Sequence, residues 1–334
     1  MNAVIQRVYG PPSVLQIADV AMPVVGAGEV LVRVLAAGVN AGDWDLLHGT
    51  PYVLRPVTGL VRPQNAILGC AVAGCIEALG SGVSGVGVGD AIYAEVARGG
   101  FAEYACVPAT ALSRKPGNLT FQQAAAVPVA AVAALQALSD VARVQPGQAV
   151  LVNGASGGVG TFAVQIGKAL GAEVTGVASA ANADLLRAIG ADHIVDHTRE
   201  DFTRSGSKYD VILDNVGNRT LSDLRRALRP NGILIPNSNK GPGRWLGGYL
   251  RRALCALAMS PFVSQRLRPF ASTGSQADLN TLRDMIELGT VRPIIDRTYP
   301  LDALADALAH YGAGHTQGRI VITMHSPGAE PCQT

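Results

Sequence analysis

Two thiols, Cys70 and Cys75, are the first side chains in the sequence that suggest chemistry, and they lie in the run ILGCAVAGCIEALG. A cysteine can ligate a metal, attack a substrate or pack as a small buried hydrophobe. The chain has five cysteines and no CxxC pair, and their odd number argues against a disulfide framework. We therefore expect a reducing, cytoplasmic setting in which Cys75 packs as a buried apolar residue.

A glycine-rich turn carries the strongest chemical signal, in VLVNGASGGVGTFAVQIGKALGAEV. A predicted buried strand over 149–154 leads into the turn and a predicted helix leaves it, so backbone N–H groups at the helix start face an incoming ligand. Ala155, Gly157 and Gly160 have the spacing of the dinucleotide fingerprint. The turn therefore predicts a dinucleotide site whose phosphates contact the following loop residues: Ser156, Gly157, Gly158, Val159 and Gly160.

The residues after the second predicted strand, 173–179, indicate which dinucleotide binds. NAD sites place an acidic residue about 20 positions past the motif to bind the ribose 2′-hydroxyl. Here the sequence reads VASAANAD, with the neutral Ser179 and Asn182 at that place and Asp184 already in the next predicted helix. The missing carboxylate favours NADP (NADPH), although no Arg or Lys stands there to bind a 2′-phosphate.

The elements that must position these residues fall into two patterns. Residues 1–120 hold short apolar runs separated by Gly and Pro, which predict a partly open β-barrel. Residues 121–289 alternate predicted strands and helices, which is typical of a doubly wound parallel sheet, so the fold class is α/β. Thr120 is the predicted N-cap of an Ala-rich helix that Pro128 divides. The final strand, GRIVITM, is expected to return to the first domain, which then comprises 1–120 and 290–334.

Composition excludes several classes of protein. The 334 residues are enough for two domains, and 48% of them are hydrophobic. A formal net charge of +2 argues against nucleic-acid binding. No apolar run reaches the roughly 18 residues of a membrane span, so we expect no stable membrane insertion. The N-terminal residues also lack the pattern of a signal peptide.

These segments together resemble the zinc-free medium-chain dehydrogenases/reductases, in the quinone oxidoreductase and enoyl reductase branch. The resemblance rests on GEVLVRVLAAGVNAGDWDLLHG, GGFAEYACVP, the glycine-rich turn, GADHIVD, LDNVG and GRIVI, which follow the family's order and spacing. It implies a GroES-like catalytic domain around an inserted Rossmann domain that binds the cofactor. It also implies an active site in the cleft between the two domains.

The resemblance decides how the opening thiols are interpreted. Zinc-dependent members of the superfamily place a Cys where this chain has Asn40, and a His-Glu pair where it has Cys70 and Ala71. The stretch around 136–150, which would supply a third ligand, holds neither Cys nor His. Catalytic zinc needs three protein ligands, so we predict no metal site. Cys70 also lacks an evident general base, since only His48 is expected on the same side of the cleft.

A metal-free reductase needs a hydride and a proton or hydrogen-bond donor. The resemblance places Asn40 near the nicotinamide and substrate, and enoyl reductases of this branch use a tyrosine near the position of Tyr52. Tyr52 and Asn40 are therefore the predicted catalytic residues, with aromatic packing as the alternative role of Tyr52. Ala71 and Ala133 depart from the residues that relatives often carry at those places.

Further predicted cofactor contacts come from the ends of later strands. Asn215 and Gly217 in LDNVG, and Asn237 after the next strand, should border the nicotinamide. Arg319 in GRIVI takes a position that is usually Lys and could reach the cofactor or the cleft.

The segment 243–270 mixes Trp, Tyr, Leu and Met with five Arg. We interpret it as a lid over an apolar pocket, with a membrane-surface helix or an oligomer contact as alternatives. The predicted partners are a fairly large apolar or aromatic substrate and a second copy of the chain in a homodimer. The predicted function is NADPH-dependent reduction of an activated C=C bond or a quinone. A specialised tailoring oxidoreductase of polycyclic or polyketide metabolites, and a non-catalytic NADPH-binding protein, remain the alternatives.

Overall fold

The computed structural model describes residues 1–238, 243–324 and 332. Within these residues the strands are β1 (Asn2–Gln6), β2 (Leu15–Asp19), β3 (Glu29–Gly38), β4 (Ala71–Leu79), β5 (Ala91–Glu95), β6 (Tyr104–Pro108), β7 (Leu112–Arg114), β8 (Ala149–Asn153), β9 (Glu173–Ala178), β10 (His193–Asp196), β11 (Tyr209–Asp214), β12 (Leu228–Pro236), β13 (Arg266–Leu267), β14 (Ile295–Pro300) and β15 (Arg319–Thr323).

The α-helices of the same residues are α1 (Ala41–His48), α2 (Arg55–Thr58), α3 (Phe121–Ala125), α4 (Ala130–Leu135), α5 (Gly158–Ala169), α6 (Ala183–Ala188), α7 (Leu221–Arg226), α8 (Gly247–Met259), α9 (Gln276–Glu287) and α10 (Leu304–Ala313). Thr120 caps α3, because its side chain accepts a hydrogen bond from the Gln123 N–H. Pro128 separates α3 from α4, so both predictions for this stretch are confirmed.

The chain divides into two units. The first holds Met1–Val132, Thr273–Gly289 and Pro293–Thr334, and the second holds Ala133–Ser272 with Thr290–Arg292. The sequence-based boundaries differ, since they placed 121–132 and 273–289 with the nucleotide-binding domain. Helix α9 belongs to the first unit because its residues bond to that unit's strands: the Tyr93 hydroxyl donates to the Leu279 carbonyl at 2.5 Å, and Ser113 Oγ to Asn280 Oδ1 at 2.7 Å.

The second unit is built on a six-stranded parallel sheet in the order β10-β9-β8-β11-β12-β13. The strands are near-continuous apolar runs such as AVLVN and YDVILD, as expected for a sheet buried on both faces. In the register, Asn153 lies opposite both Val177 and Asp214, and Asp214 lies opposite Pro236. The residues that follow these four positions therefore leave the sheet at one edge, where ligands of such sheets bind.

The first unit contains a seven-stranded sheet in the order β14-β15-β3-β4-β5-β7, with β6 also paired to β3, and a two-stranded sheet of β1 and β2. In the antiparallel register, Gly38 at the end of β3 lies opposite both Ala71 and Val321. If that register is extended by two residues, Asn40 lies opposite Gly69, the residue before Cys70, on one side. On the other side it lies opposite Arg319. The class predicted from sequence, α/β with a parallel doubly wound sheet, is confirmed.

Cys75 corrects one expectation. Its side chain is buried in β4, as predicted, but its sulfur is bonded to that of Cys332, with the two Cα atoms 5.7 Å apart. The partners are 257 residues apart in sequence, so neither spacing nor count could reveal the pair. The residues on either side of Cys332, 325–331 and 333–334, lie outside the described residues.

Candidate active site

The glycine-rich turn adopts the geometry that its spacing predicts. Gly154 has a φ of 78°, a conformation that favours glycine, and the Gly157 N–H donates to its carbonyl at 3.1 Å. Helix α5 begins at Gly158, so Gly158, Val159 and Gly160 form its first turn. A Cβ at Gly160 would collide with the Gly154 carbonyl oxygen. The turn therefore presents a helix N-terminus without side-chain obstruction, which suits a pyrophosphate.

Three polar side chains gather beside this turn. The Asn182 amide nitrogen donates to Ser156 Oγ at 3.1 Å and to Ser179 Oγ at 3.2 Å. Its Oδ1 atom is buried and has no hydrogen-bond partner among the described residues. A buried acceptor without a partner is costly in a folded chain and indicates a missing donor. The structure thus brings together Ser179 and Asn182, predicted for the ribose end of the cofactor, and Ser156, predicted for its phosphates.

A second group lies at the same edge of the sheet. The Asn237 amide nitrogen donates to Asn215 Oδ1 at 2.8 Å, and the Asn215 backbone N–H donates to the Asn153 carbonyl at 3.1 Å. The Asn215 amide nitrogen is buried, and within the described ranges it finds no acceptor. This donor and the unpaired acceptor of Asn182 are the orphaned polar atoms expected of a site that fits a dinucleotide.

A buried ion pair, which sequence reasoning missed, holds the loop that carries Asn215 and Gly217. Asp214 Oδ2 accepts a 2.5 Å hydrogen bond from Arg252 Nη2, and the side chains are 0% and 8% exposed. Asp214 Oδ1 also accepts from Asn153 Nδ2 at 2.7 Å and from the Gly217 N–H at 3.1 Å. Arg252 Nη1 donates to the Arg219 carbonyl at 2.9 Å. We call these residues the Asp214 clamp, which comprises Asn153, Asp214 and Arg252.

The sequence provides a reason to expect a structural role for Asp214 but none to expect one for Arg252. Asp214 stands at a strand end within LDNVG, where acidic residues commonly organise turns. Arg252 is one of two adjacent arginines in α8, and only the packed helix shows that Arg251 is exposed while Arg252 is buried.

In the first unit the end of β3 holds a different polar group, the Asn40 cluster, which comprises Asn40, Asp43, Cys70 and Arg319. The Asp43 carboxylate accepts the Asn40 N–H at 2.8 Å and the Gly69 N–H at 3.0 Å. The Asn40 amide nitrogen donates to the Gly38 carbonyl at 2.9 Å, and Arg319 Nη2 donates to Asn40 Oδ1 at 2.5 Å. Asn40 is therefore held in one orientation, with its carbonyl oxygen toward Arg319.

Burial dominates the electrostatics of the Asn40 cluster. Asp43 is 1% exposed, and desolvation raises its pKa to about 6 although two backbone N–H groups and Arg319 oppose the shift. Desolvation, with the nearby carboxylates of Asp43 and Glu95, raises the pKa of the Cys70 thiol. Burial lowers the pKa of Arg319, whose Nε has no hydrogen-bond partner among the described residues. A thiol with a raised pKa is a poor nucleophile, in agreement with the sequence argument against a Cys70 dyad.

Tyr52 is placed on a separate turn of the first unit. It begins the 3-10 turn Tyr52–Leu54, and the Arg55 guanidinium lies 4.3 Å from its ring centroid. Arg55 Nε in turn donates to the Gly49 carbonyl at 3.0 Å. The ring is thus held by packing, while its role as a donor stays a prediction.

The donor set does not fit a catalytic zinc ion. At the positions of the zinc ligands the chain offers the Asn40 amide, the Cys70 thiol and the Ala71 methyl group. The described residues include no group of three or more His, Cys, Asp or Glu side chains arranged to hold a metal. One thiol cannot supply the three ligands that such a site requires.

Together, a parallel sheet with a glycine-rich phosphate turn and a mostly antiparallel catalytic-type domain define a nicotinamide-dependent oxidoreductase. Comparison with known proteins supports this class. The pattern of the alcohol dehydrogenase GroES-like domain matches residues 26–117, and that of the zinc-binding dehydrogenase matches 189–322. The quinone oxidoreductase of Lama guanicoe is 32% identical over 95% of this chain and 95% of its own length. The chain belongs to the medium-chain dehydrogenase/reductase family, in its quinone oxidoreductase and enoyl reductase branch.

Two further matches extend the comparison. The chain is 32% identical to a segment of polyketide synthase GfsB of Streptomyces halstedii, over 91% of this chain but only 5% of that protein's length. The structure of mycobacterial Rv1454c complexed with NADPH superposes with a TM-score of 0.82 at 26% identity, covering 97% of this chain and 100% of that one. The GroES-like and Rossmann domains implied by the resemblance are thereby confirmed.

Proposed function

We propose that this chain is an NADPH-dependent reductase that transfers a hydride to an activated carbon–carbon double bond, of an enone or enoyl compound, or to a quinone. We further propose that it needs no metal ion and that its substrate is fairly large and apolar. The observation that carries the proposal is the pair of buried, unpartnered atoms, Asn182 Oδ1 and Asn215 Nδ2, on either side of the glycine-rich turn.

The residues that would hold the cofactor follow from these contacts. The first turn of α5 would bind the pyrophosphate through backbone N–H groups. Asn215, Gly217 and Asn237 would border the nicotinamide, which supplies the hydride. Ser156, Ser179 and Asn182 would bind the ribose that carries the 2′-phosphate.

The preference for NADPH over NADH is supported by the charges at the ribose end. The cluster of Ser156, Ser179 and Asn182 contains no carboxylate, and the nearby Asp184 forms an exposed ion pair with Arg187 at 2.7 Å. A 2′-phosphate therefore meets neutral donors rather than a negative charge. The NADPH complex of the mycobacterial relative agrees with this choice. Comparing the Kd values of NADPH and NADH tests it, and tighter binding of NADH would contradict it.

Protein groups must supply the proton or hydrogen bond that the acceptor needs after hydride transfer. Tyr52 has a phenol that can donate a proton, and Asn40 has an amide whose orientation Arg319 fixes. Arg319, predicted as a cofactor contact, acts through Asn40 in this scheme and so is a positioning residue. Metal independence is supported by the donor set at the end of β3, which lacks two of the three ligands that zinc needs.

A panel of enones, enoyl thioesters and quinones, assayed by NADPH oxidation, tests the proposal. We expect turnover with at least one acceptor, unchanged by metal chelators. The Tyr52→Phe variant should lower kcat by roughly 10²-fold or more without changing the KM for NADPH, since general acid catalysis contributes that much. Tyr104→Phe is the matched control, because Tyr104 is a partly buried tyrosine of the same unit.

The outcomes separate the alternatives. Full activity of Tyr52→Phe would assign the ring to packing and leave Asn40 as the remaining candidate. Tight NADPH binding without turnover on any acceptor would favour a non-catalytic NADPH-binding protein. A second candidate function, reduction of a polyketide-derived acceptor in a tailoring step, is favoured by the match to polyketide synthase GfsB and would show as turnover confined to such acceptors.

A further inference from the structure

Helix α8 and its flanks expose an unusual amount of apolar surface. Among the described residues of 243–270, the exposed large apolar side chains, with their exposed fractions, are Trp245 (74%), Leu246 (39%), Leu254 (49%), Leu257 (58%) and Phe262 (86%). Single exposed apolar residues are common on proteins, but a contiguous group marks an interaction site.

The group is contiguous because of helical spacing. Leu246, the partly buried Leu250, Leu254 and Leu257 are separated by four, four and three residues, so they follow one side of the helix. The buried residues Gly248, Arg252, Ala253 and Ala256 follow another side. One side of α8 therefore packs within the second unit, and a different apolar side faces outward with an aromatic residue beyond each end.

Among charged residues, the stretch of sequence that contains this apolar side carries only basic ones. Residues 224–277 contain eight Arg and Lys240 but no Asp or Glu, although the whole chain is nearly balanced, with 27 basic and 25 acidic residues. Four arginines of the segment are exposed and form no ion pair with the described residues: Arg244, Arg251, Arg266 and Arg268. The fifth arginine of 243–270, Arg252, pairs with Asp214, and N-terminal to this segment Arg226 and Arg229 pair with Asp223 and Asp210.

We propose that α8 and its flanks, residues 243–270, form a reversible docking surface for anionic lipid bilayers. Tryptophan and phenylalanine partition into the boundary between headgroups and acyl chains, while a basic fringe binds anionic headgroups. The helix lies in that plane and does not cross the membrane, and no described helix is long and apolar enough to cross one.

Two other occupants fit the charges and contacts less well. A two-fold contact with a second copy would set the same basic patch against itself, since such an interface uses one surface on both partners. A lid must open, whereas α8 is anchored by the buried Asp214–Arg252 pair and by the Tyr249 hydroxyl, which donates to the Phe270 carbonyl at 2.6 Å. An anionic bilayer complements both the apolar side and the unpaired arginines.

Co-sedimentation of the full chain with vesicles tests the proposal. Vesicles of phosphatidylcholine alone are compared with vesicles that contain about 30 mol% phosphatidylserine. We expect at least about tenfold more binding to the anionic vesicles, falling as salt screens the arginines. Tryptophan fluorescence emission should shift to shorter wavelength on binding. The Trp245→Phe variant, which keeps Trp44, shows how much of that shift comes from Trp245.

Variants separate the apolar from the basic contribution. The double variant Trp245→Ser, Phe262→Ser should lose about tenfold or more of the binding to anionic vesicles. Arg266→Gln, Arg268→Gln should lose roughly fivefold for each charge. The matched control is Val24→Ser, Leu288→Ser, which removes two apolar side chains that are 91% and 79% exposed elsewhere. Thermal unfolding of each variant checks that the fold is kept.

Several results would overturn the proposal. One is equal sedimentation with neutral and anionic vesicles, or equal losses in the serine variants and their control. Another is a dimer that hides Trp245 before any lipid is added and that Trp245→Ser, Phe262→Ser converts to monomers. A third is a shift of Trp245 emission with NADPH or substrate but not with vesicles, which would assign the segment to a lid.

Discussion

The Asp214 clamp and the Asn40 cluster both bury an aspartate and an arginine at strand ends, but they use them differently. In the clamp the two charges bond directly, and Arg252 also donates to a backbone carbonyl. In the Asn40 cluster Arg319 donates to the Asn40 amide oxygen, while Asp43 accepts two backbone N–H groups. The clamp is a directly bonded structural pair that supports a loop with unpartnered atoms, although Arg252 Nε is itself buried without a partner among the described residues. The Asn40 cluster instead fixes one amide and keeps two charges buried without a direct bond between them.

The largest effect on cofactor binding is expected at the glycine-rich turn. Gly160→Val should weaken NADPH binding by about 100-fold or more, because any Cβ there collides with the Gly154 carbonyl and lies 2.7 Å from Ala155 Cα. Titration by NADPH fluorescence measures the change. Gly42→Ala, in α1, is the control, since its Cβ would have nothing within 4 Å. Unchanged NADPH binding in Gly160→Val would remove the turn from the site.

Breaking the clamp tests its structural role. Arg252→Met should lower the free energy of unfolding by about 3–5 kcal/mol, because it leaves the Asp214 carboxylate buried without its partner. Denaturant titration gives the value. Arg187→Met, which breaks an exposed pair of the same unit, should cost no more than about 1 kcal/mol. Equal effects of the two substitutions would show that burial of the Asp214 pair does not matter.

In the Asn40 cluster, the raised pKa of Asp43 should make the free energy of unfolding depend on pH. The folded-state pKa of Asp43, about 6, lies above the model value of 3.8, so between these values the folded chain binds more protons than the unfolded chain. This residue's contribution to stability therefore falls as pH rises from 3.8 to about 6, by about 3 kcal/mol in all, and is constant above.

Denaturant titrations across that range, on the wild type and on Asp43→Asn, isolate the contribution of Asp43. The variant should be less stable, because an amide replaces an acceptor of two backbone N–H groups, and it should lack this part of the slope, so its deficit relative to the wild type should shrink as pH rises from 3.8 to about 6. Identical slopes for the two proteins would mean that Asp43 titrates normally.

The smallest effect is expected at an unpartnered atom. Asn215→Ala should weaken NADPH binding by about tenfold, because its amide nitrogen bonds to no described residue, and should cost about 1 kcal/mol of stability, because Asn237 Nδ2 loses its acceptor. Asn118→Ala is the opposite case: its amide nitrogen donates to the Ile286 carbonyl at 2.8 Å, so its loss should lower stability and leave NADPH binding unchanged. Unchanged NADPH binding in Asn215→Ala would show that the Asn215 amide nitrogen does not bind the cofactor.

Local spacing was enough to predict the nucleotide-binding elements. The glycine turn and the Thr120 cap depend on residues close in sequence, and the neighbouring positions of Ser179 and Asn182 depend on the fixed edge of a parallel sheet. Long-range partners were invisible. Arg319 meets Asn40 across 279 residues, and Cys332 meets Cys75 across 257, because antiparallel pairing and chain reversal bring together segments that share no local pattern.

The sequence by itself determined the class of the protein, because backbone geometry at a phosphate turn allows only a few residue types at fixed spacing. It also determined the basic, acid-free character of 224–277. Only the tertiary structure decided which of the adjacent Arg251 and Arg252 is buried against Asp214, which apolar residues of α8 remain exposed, and which asparagine atoms lack partners. These properties depend on what packs against each side chain, and packing partners come from segments distant in sequence.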